Sequence, residues 1–195
     1  MLLLQDYDRH LAQLTNAAER VCRALQQAGI RYRVVGGLAV LFHVQSRDPL
    51  AGRLTKDVDL AVDRADLPRI IEAVRAVGLD YRHAAGVDML VDAAEPKARS
   101  AVHLVFIREK VRPHYVEPVP DFSDPAKADD AVLVAPVADL VRMKLTSFRL
   151  VDKTHIIDLD SVGLITPEIE KALPGTLRER LEQVRREERQ STGAE

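Results

Sequence analysis

The chain has 195 residues, of which 47% are hydrophobic and 30% charged, and a formal net charge of −2. That length allows one domain with a real core, or one domain plus a small helical appendage, with the composition of an ordinary soluble globular protein. The near-neutral charge excludes an overall electrostatic pull toward nucleic acid or an anionic membrane, and the single cysteine, Cys22, excludes an internal disulfide.

Leu11, Leu14, Ala18, Val21 and Leu25 recur at spacings of three and four, which predicts an amphipathic helix over residues 3–28 that stops at Gly29. Cys22 falls within this pattern and reads as a buried filler. Tyr32 to Val35 reads as the first strand. It breaks at Gly36-Gly37, and Leu38 to Val44 follows as a short helix, apolar on most sides and so buried against a sheet. A polar loop from Gln45 to Lys56, with Pro49 and Gly52, leads to a strand that carries Asp57 and Asp59 and ends near Val62. Arg47 and Arg53 in this loop read as solvated surface charges, with contact to phosphate as the alternative. Asp66-Leu67-Pro68 opens a helix over Ile70, Ile71, Val74 and Val77, which Gly78 closes. Residues 81–92 and 101–107 read as two strands joined by a turn around Glu95-Pro96-Lys97.

Residues 108–130 are Pro-rich and charged and read as a loop or an irregular edge strand, and Val132 to Val134 as a last short strand. From Val137 the pattern is helical, through Leu140, Val141, Leu145 and Phe148, then Ile156, Leu159 and Val162. Over residues 176–189, Arg178, Arg180, Arg185, Arg186 and Arg189 interleave with Glu, which favours a salt-laced surface helix over a nucleic-acid patch. The tail from Gln190 reads as frayed, and there is no internal repeat. The expected organisation is a core with its N-terminal helix over 1–135, a helical part over 136–190, and a frayed tail over 191–195. No basic start leads into an apolar run, and no stretch approaches the roughly 18 apolar residues of a membrane span, so the expected location is the cytoplasm, without membrane contact.

Asp57 and Asp59 stand two apart on a predicted strand, so their side chains point the same way. Two carboxylates side by side repel unless a cation sits between them. Hard cations such as Mg2+ take oxygen ligands, often one or two carboxylates plus the phosphates of a substrate. Gly36-Gly37, where strand meets helix, lets the backbone approach a ligand closely and leaves N–H groups free for phosphate oxygens. Taken singly, the Gly pair is also an ordinary turn and Asp-Val-Asp an ordinary solvated face. In this order and on these elements, they point to a nucleoside triphosphate held between a Gly turn and a carboxylate-bound metal.

The full pattern, apolar–Gly–Gly, a short helix, then Thr55-Lys56-Asp57-Val58-Asp59-Leu60-Ala61-Val62, resembles the signature of the nucleotidyltransferase superfamily. It is most similar to the minimal bacterial branch grouped with the abortive-infection and toxin–antitoxin nucleotidyltransferases. A second block, Arg142-Met143-Lys144-Leu145 followed by Arg149, Asp152-Lys153 and Asp158, is similar to the post-catalytic helices of that branch. The resemblance implies an α+β fold, a small mixed β-sheet flanked by helices with a helical C-terminal part. It implies that Gly36 and Gly37 open the nucleotide site, that Asp57 and Asp59 bind catalytic Mg2+ or Mn2+, and that Lys144 approaches the triphosphate. The implied activity is transfer of a nucleotide monophosphate from a nucleoside triphosphate to an RNA or protein hydroxyl, with a cognate partner protein if the setting is toxin–antitoxin. Aromatic content of 4% and the lack of Trp leave few stacking platforms for single-stranded RNA. Lys144 is a compact cation suited to neutralising triphosphate charge, whereas Arg149, Lys153 and Asp158 read equally as ordinary ion pairs, such as Arg149 with Asp152.

The chain departs from the family at His103. Competent members add a third carboxylate from a neighbouring strand, and by order of elements that strand is Ala101 to Ile107, with His103 at the position. Three accounts stand open: a general base in place of the carboxylate, a nucleotide- or partner-binding module that has lost catalysis, or a strand residue with a satisfied hydrogen bond. Asp88 and Asp92 share a face of the preceding strand. A simple hairpin at 93–100 would set Leu90 opposite His103 and bring one of these carboxylates in as the missing third. The loop between the Gly pair and Asp57 is also longer than is usual in the family.

Overall fold

The computed structural model describes residues 2–53, 55, 57–94, 96, 101–127 and 132–193, with side chains for these except residues 2–14, 127 and 192. The side chains of Leu11 and Leu14, the motif residue Lys56, and Glu95 and Lys97 of the expected turn lie outside the described set. Helix α1 (Leu2–Gln27) leads into strand β1 (Tyr32–Val35), helix α2 (Gly36–Arg47), strand β2 (Val58–Val62), a 3₁₀ turn (Arg64–Asp66) and helix α3 (Leu67–Arg75). Strands β3 (Leu79–Ala84), β4 (Val87–Asp92), β5 (Val102–Phe106), β6 (Ala126–Lys127) and β7 (Leu133–Val134) follow. Helices α4 (Val137–Ser147), α5 (Leu150–Ser161), α6 (Pro167–Ala172) and α7 (Gly175–Thr192) complete the described chain.

The strands form one mixed sheet in the order β3-β4-β5-β2-β1-β7-β6. β2 runs antiparallel to β1 and parallel to β5. Alternation along each strand decides which side chains go inward. Tyr32, Val34, Leu60, Val62, Leu104 and Phe106 are buried on one face, where α1 packs on β1 and β2 and α3 on β3. Ala18, Val21, Cys22 and Leu25 supply the buried stripe of α1. Val35, Asp59 and His103 point the other way, and α2 packs on β1, β2, α4 and α5.

Residues 81–92 are not one strand. Ala85 and Gly86 adopt φ of 51° and 72°, the left-handed pair of a tight two-residue turn, and fold the segment into the β3–β4 hairpin. Strand-forming residues on both sides of the turn make the segment look continuous in sequence. The Gly pair belongs to α2 itself, which opens at Gly36 and runs to Arg47, so the loop begins at Asp48. Asp57 lies immediately before β2 rather than in it. Within the irregular segment, Ala126–Lys127 pairs antiparallel with β7. Helix α6 was not anticipated, although Thr166 caps it by accepting from the Ile169 N–H and Pro167 sits at its start. Helix α7 passes the expected fraying point at Gln190 and ends at Thr192.

The α4–α5 corner turns on one carboxylate. Phe148, with φ of 52°, ends α4, and Arg149 is the N-cap of α5. Asp152, 0% exposed, accepts from Lys144 Nζ at 3.2 Å, Ser147 Oγ at 2.8 Å and Arg149 Nε at 2.7 Å. Burial pushes its carboxyl pKa up; the Arg149 hydrogen bond, the Lys144 charge and the Ser147 hydroxyl outweigh burial and hold it below the usual range. Asp152→Ala would leave the Lys144 ammonium, 8% exposed, without its counter-charge. The expected cost is about 3–5 kcal/mol in urea unfolding. Arg149→Ala should cost much less, because that side chain is 63% exposed.

Candidate functional site

The β1–β2 register sets Asp59 opposite Val35, the residue before the Gly pair, so its carboxylate falls against the first turn of α2. Gly36 has φ of 72°, a left-handed backbone, and any Cβ there would collide with Oδ2 of Asp59. A Cβ on Gly37 would come within 2.6 Å of Thr55 Oγ1 and 3.4 Å of His155 Cε1. Both positions admit hydrogen alone. Asp57, two residues ahead of Asp59, is exposed, and Asp59 is half-buried.

β5 brings His103 directly beside Asp59, with Nδ1 at 3.5 Å from Asp59 Oδ1. The hydrogen-bonding pull of Asp59 raises the imidazole pKa; burial opposes the rise, and the charges of Asp59 and Asp57 add to it. His103 therefore stands next to the carboxylates.

The expected position of Asp88 and Asp92 is corrected. Met89, not Leu90, lies opposite His103, and Asp88 lies opposite Leu104. A one-residue change of register moves a strand's side chains to the other face, so Asp88 and Asp92 do not share the face of His103, although Asp88 still lines the large cavity that His103 lines. The cause is apolar: Leu90 is fully buried and pairs with Val102 in the core. Asp88 instead accepts from the Tyr81 hydroxyl at 2.5 Å and lies 2.9 Å from His83 Nδ1. Asp92 accepts from Arg20 of α1 at 3.0 Å.

Among the described residues, no three His, Cys, Asp or Glu side chains converge to hold a metal ion by themselves. The carboxylates of Asp57 and Asp59 fit an ion whose shell is completed by phosphate oxygens and water, the usual Mg2+ arrangement. They do not fit an ion caged by protein alone.

Three cavities meet at these carboxylates, and Asp59 and Arg149 line all of them. One, of about 270 Å³, is walled by Gly37, Thr55, Asp57, Lys144 and His155. A second, of about 180 Å³, lies beside Val35 and Gly36, with Tyr115, Lys144 and Thr146 in its wall. The third, of about 500 Å³, is lined by Asp57, His103, Arg64, Lys110 and Arg112. The structure thus brings Gly36, Gly37, Asp57, Asp59, His103 and Lys144 to one cleft. Lys144 enters it as the partner of Asp152 rather than as an unpaired cation. Arg149 pairs with Asp152, Lys153 with Glu187 of α7 at 2.9 Å, and Asp158 with Arg53 at 3.1 Å.

Arg149, which the second sequence block contains and which also reads as an ion-pair partner, lies where the cavities join. The sequence reading did not single out His155, which carried no motif; its signal was a place on the buried face of α5 with Asp152, Ile156 and Leu159. It is 7% exposed, and burial first, then the Lys144 charge, push its pKa down to about 4.

No family model and no curated protein matches the chain. Among solved structures, an antigenic nucleotidyltransferase-like protein from Paracoccidioides brasiliensis superposes with a TM-score of 0.50 at 16% identity, over 92% of this chain and 88% of that one. The antibiotic-resistance factor ANT(2'')-Ia overlays more loosely. Its solution structure gives a TM-score of 0.47 at 13% identity over 95% of each chain. Its complex with adenylyl-2''-tobramycin gives 0.44 at 12%, over 94% of this chain and 91% of that one. At such identities the likeness is one of fold, and the chain has a nucleotidyltransferase-like α+β fold.

The depressed pKa of His155 has a consequence for stability. Around its ring stand Lys144 of α4, Arg149 and Asp152 of α5, and Arg53 of the preceding loop. Its folded pKa lies below the ordinary 6.5, so on acidification the unfolded chain takes up the proton first. The penalty is absent above about pH 6.5, grows as pH falls toward 4, and levels off below. Between pH 7 and pH 4, His155→Gln should lose less stability than the wild type, by on the order of 3 kcal/mol, in urea denaturation at each pH.

Proposed function

We propose that the chain is a metal-dependent nucleotidyltransferase, moving a nucleoside monophosphate from a nucleoside triphosphate to a hydroxyl of RNA or protein. The division of the cleft carries this reading: Gly36, Gly37 and Lys144 line one side, His103 the other, and Asp57 and Asp59 stand between. The fold supports it at the level of architecture. The two sequence blocks support a place in the minimal bacterial branch, whose toxins act on RNA 3′ ends or protein hydroxyls under the control of a partner protein.

The donor polyphosphate belongs on the glycine side. There the first-turn N–H groups of α2 and the positive end of its dipole favour an anion, and Lys144 and Arg149 add charge. The acceptor hydroxyl belongs in the larger cavity beside His103. Asp59 engages Nδ1 of His103, which orients the ring and leaves Nε2 to take a proton. In the transfer, the hydroxyl oxygen bonds to the α-phosphorus and its proton passes to His103. The bond from the α-phosphorus to the oxygen bridging to the β-phosphate breaks, and pyrophosphate leaves with that electron pair. Held by Asp57 and Asp59, Mg2+ or Mn2+ would supply Lewis-acid stabilisation of the phosphate oxygens.

A second reading is favoured by one observation, the imidazole of His103 where the family expects a carboxylate: a module that binds nucleotide without transferring it. The two separate in one experiment. Each labelled nucleoside triphosphate is incubated with Mg2+ or Mn2+ and an extract of RNA and protein. The wild type should label a macromolecule, and Asp57→Ala/Asp59→Ala should label none. His103→Ala should slow transfer by about 10²- to 10⁴-fold while still binding nucleotide. Metal-dependent binding without any transfer would favour the second reading, and neither binding nor transfer would sink both.

A further inference from the structure

We infer that His155 is a ligand of the donor's terminal phosphates, and that the cavity it shares with Gly37, Lys144 and Arg149 is where the leaving pyrophosphate sits. The identity of the ligand rests on the nucleotidyl-transfer reading; the site rests on observations of its own.

The first is an unsatisfied imidazole. His155 is 7% exposed, its Nδ1 is buried without a hydrogen-bond partner, and among the described residues no hydrogen bond reaches the ring. Buried polar groups are rarely left so. The chain itself provides the comparison. His43, half-buried on α2, lies 2.8 Å from the Ala135 carbonyl through its Nε2. His83 lies 2.9 Å from the Asp88 carboxylate. Those are histidines with structural partners. His155 lines a cavity instead.

The second observation is what shares that cavity. Its about 270 Å³ lie against Gly37 in the first turn of α2, a helix of 12 residues. The ring of His155 closes on that turn, since a Cβ on Gly37 would stand 3.4 Å from its Cε1. Lys144 and Arg149 form the opposite charge lining. Arg149 spends Nε and Nη2 on Asp152, which leaves Nη1 for a ligand. A neutral imidazole N–H, a guanidinium, an ammonium and helix N–H groups together suit a polyanion rich in acceptor oxygens.

The third is direction. His103 lines the large cavity and not this one, with Asp57 and Asp59 common to both. In an in-line displacement the attacking and leaving oxygens lie on opposite sides of the phosphorus. An acceptor activated at His103 therefore expels its leaving group toward His155.

Inorganic pyrophosphate with Mg2+ is the probe, titrated into the full chain by calorimetry and followed through the imidazole resonances of ¹⁵N-histidine-labelled protein. The wild type should bind, and the His155 ring nitrogens should shift during the titration. His155→Phe should bind at least roughly tenfold more weakly, and His155→Gln, which keeps an N–H near the Nε2 position, should recover most of that loss. If His155→Phe fails to fold, the ring resonances and the Gln variant decide. Unmoved His155 resonances, or equal affinity in wild type and Phe variant, would overturn the assignment and leave the transferase reading intact, because that reading rests on Asp57, Asp59 and His103. Absence of pyrophosphate binding would also overturn it, and label transfer would then judge the transferase reading separately.

Discussion

The cleft exists because the Asp59 carboxylate is pressed against a residue with no side chain. Pairing of β1 with β2 fixes Asp59 opposite Val35, and the chain turns into α2 at the next residue. A left-handed Gly36 makes that turn, and its bare Cα leaves the space that Oδ2 of Asp59 occupies. Gly37 keeps the same clearance from Thr55 and His155. From this contact follow both sides of the site. One oxygen of Asp59 looks to the start of a helix, the other to His103 on the neighbouring parallel strand. A single carboxylate thus joins the region suited to phosphate to the region suited to a proton acceptor.

A second constraint holds the far wall in place. Asp152 has no exposure to water and gathers Lys144, Ser147 and Arg149 around the α4–α5 corner. The Lys144 pair is not an ornament on a helix surface, since the buried carboxylate requires it, and the more exposed Arg149 adds an outer partner. Lys144 and Arg149 are thereby presented to the cleft, and His155, one turn further along α5, completes the wall. The cations are already partly neutralised by Asp152. The cleft therefore suits a polyphosphate that arrives with its own metal ion better than a free polyanion.

How much of this was legible in the sequence follows from how local each signal is. The Gly pair at the end of β1 and the two aspartates at the start of β2 are close in sequence, and their two-residue spacing reads as one side, although the Gly pair opens α2 and Asp57 lies just before β2. β1, most of β2 and the helical C-terminal part were legible from local pattern, and the α+β class followed from the family resemblance. The β3–β4 hairpin was not, because Ala85 takes a left-handed conformation that Gly86 signals and Ala85 does not. The partner of His103 was not, because register between β4 and β5 is set by burying Leu90 against Val102, a decision made by the core and not by the connecting turn. Lys144 read as a phosphate-seeking cation; its buried bond to Asp152 requires the α4–α5 corner, which no spacing announces. His155 belongs to no motif, and only packing reveals that its ring lacks a partner.

The central claim is that Asp57 and Asp59 form a site that works through a metal-bound nucleotide. Calorimetric titration of a non-hydrolysable nucleoside triphosphate analogue, with Mg2+ and with chelator, into wild type and Asp57→Ala tests it most directly. The account predicts binding in Mg2+ that weakens by roughly tenfold or more, about 1.4 kcal/mol, when either the ion or the carboxylate is removed. Equal affinity across all conditions, or no binding by the wild type, would contradict it.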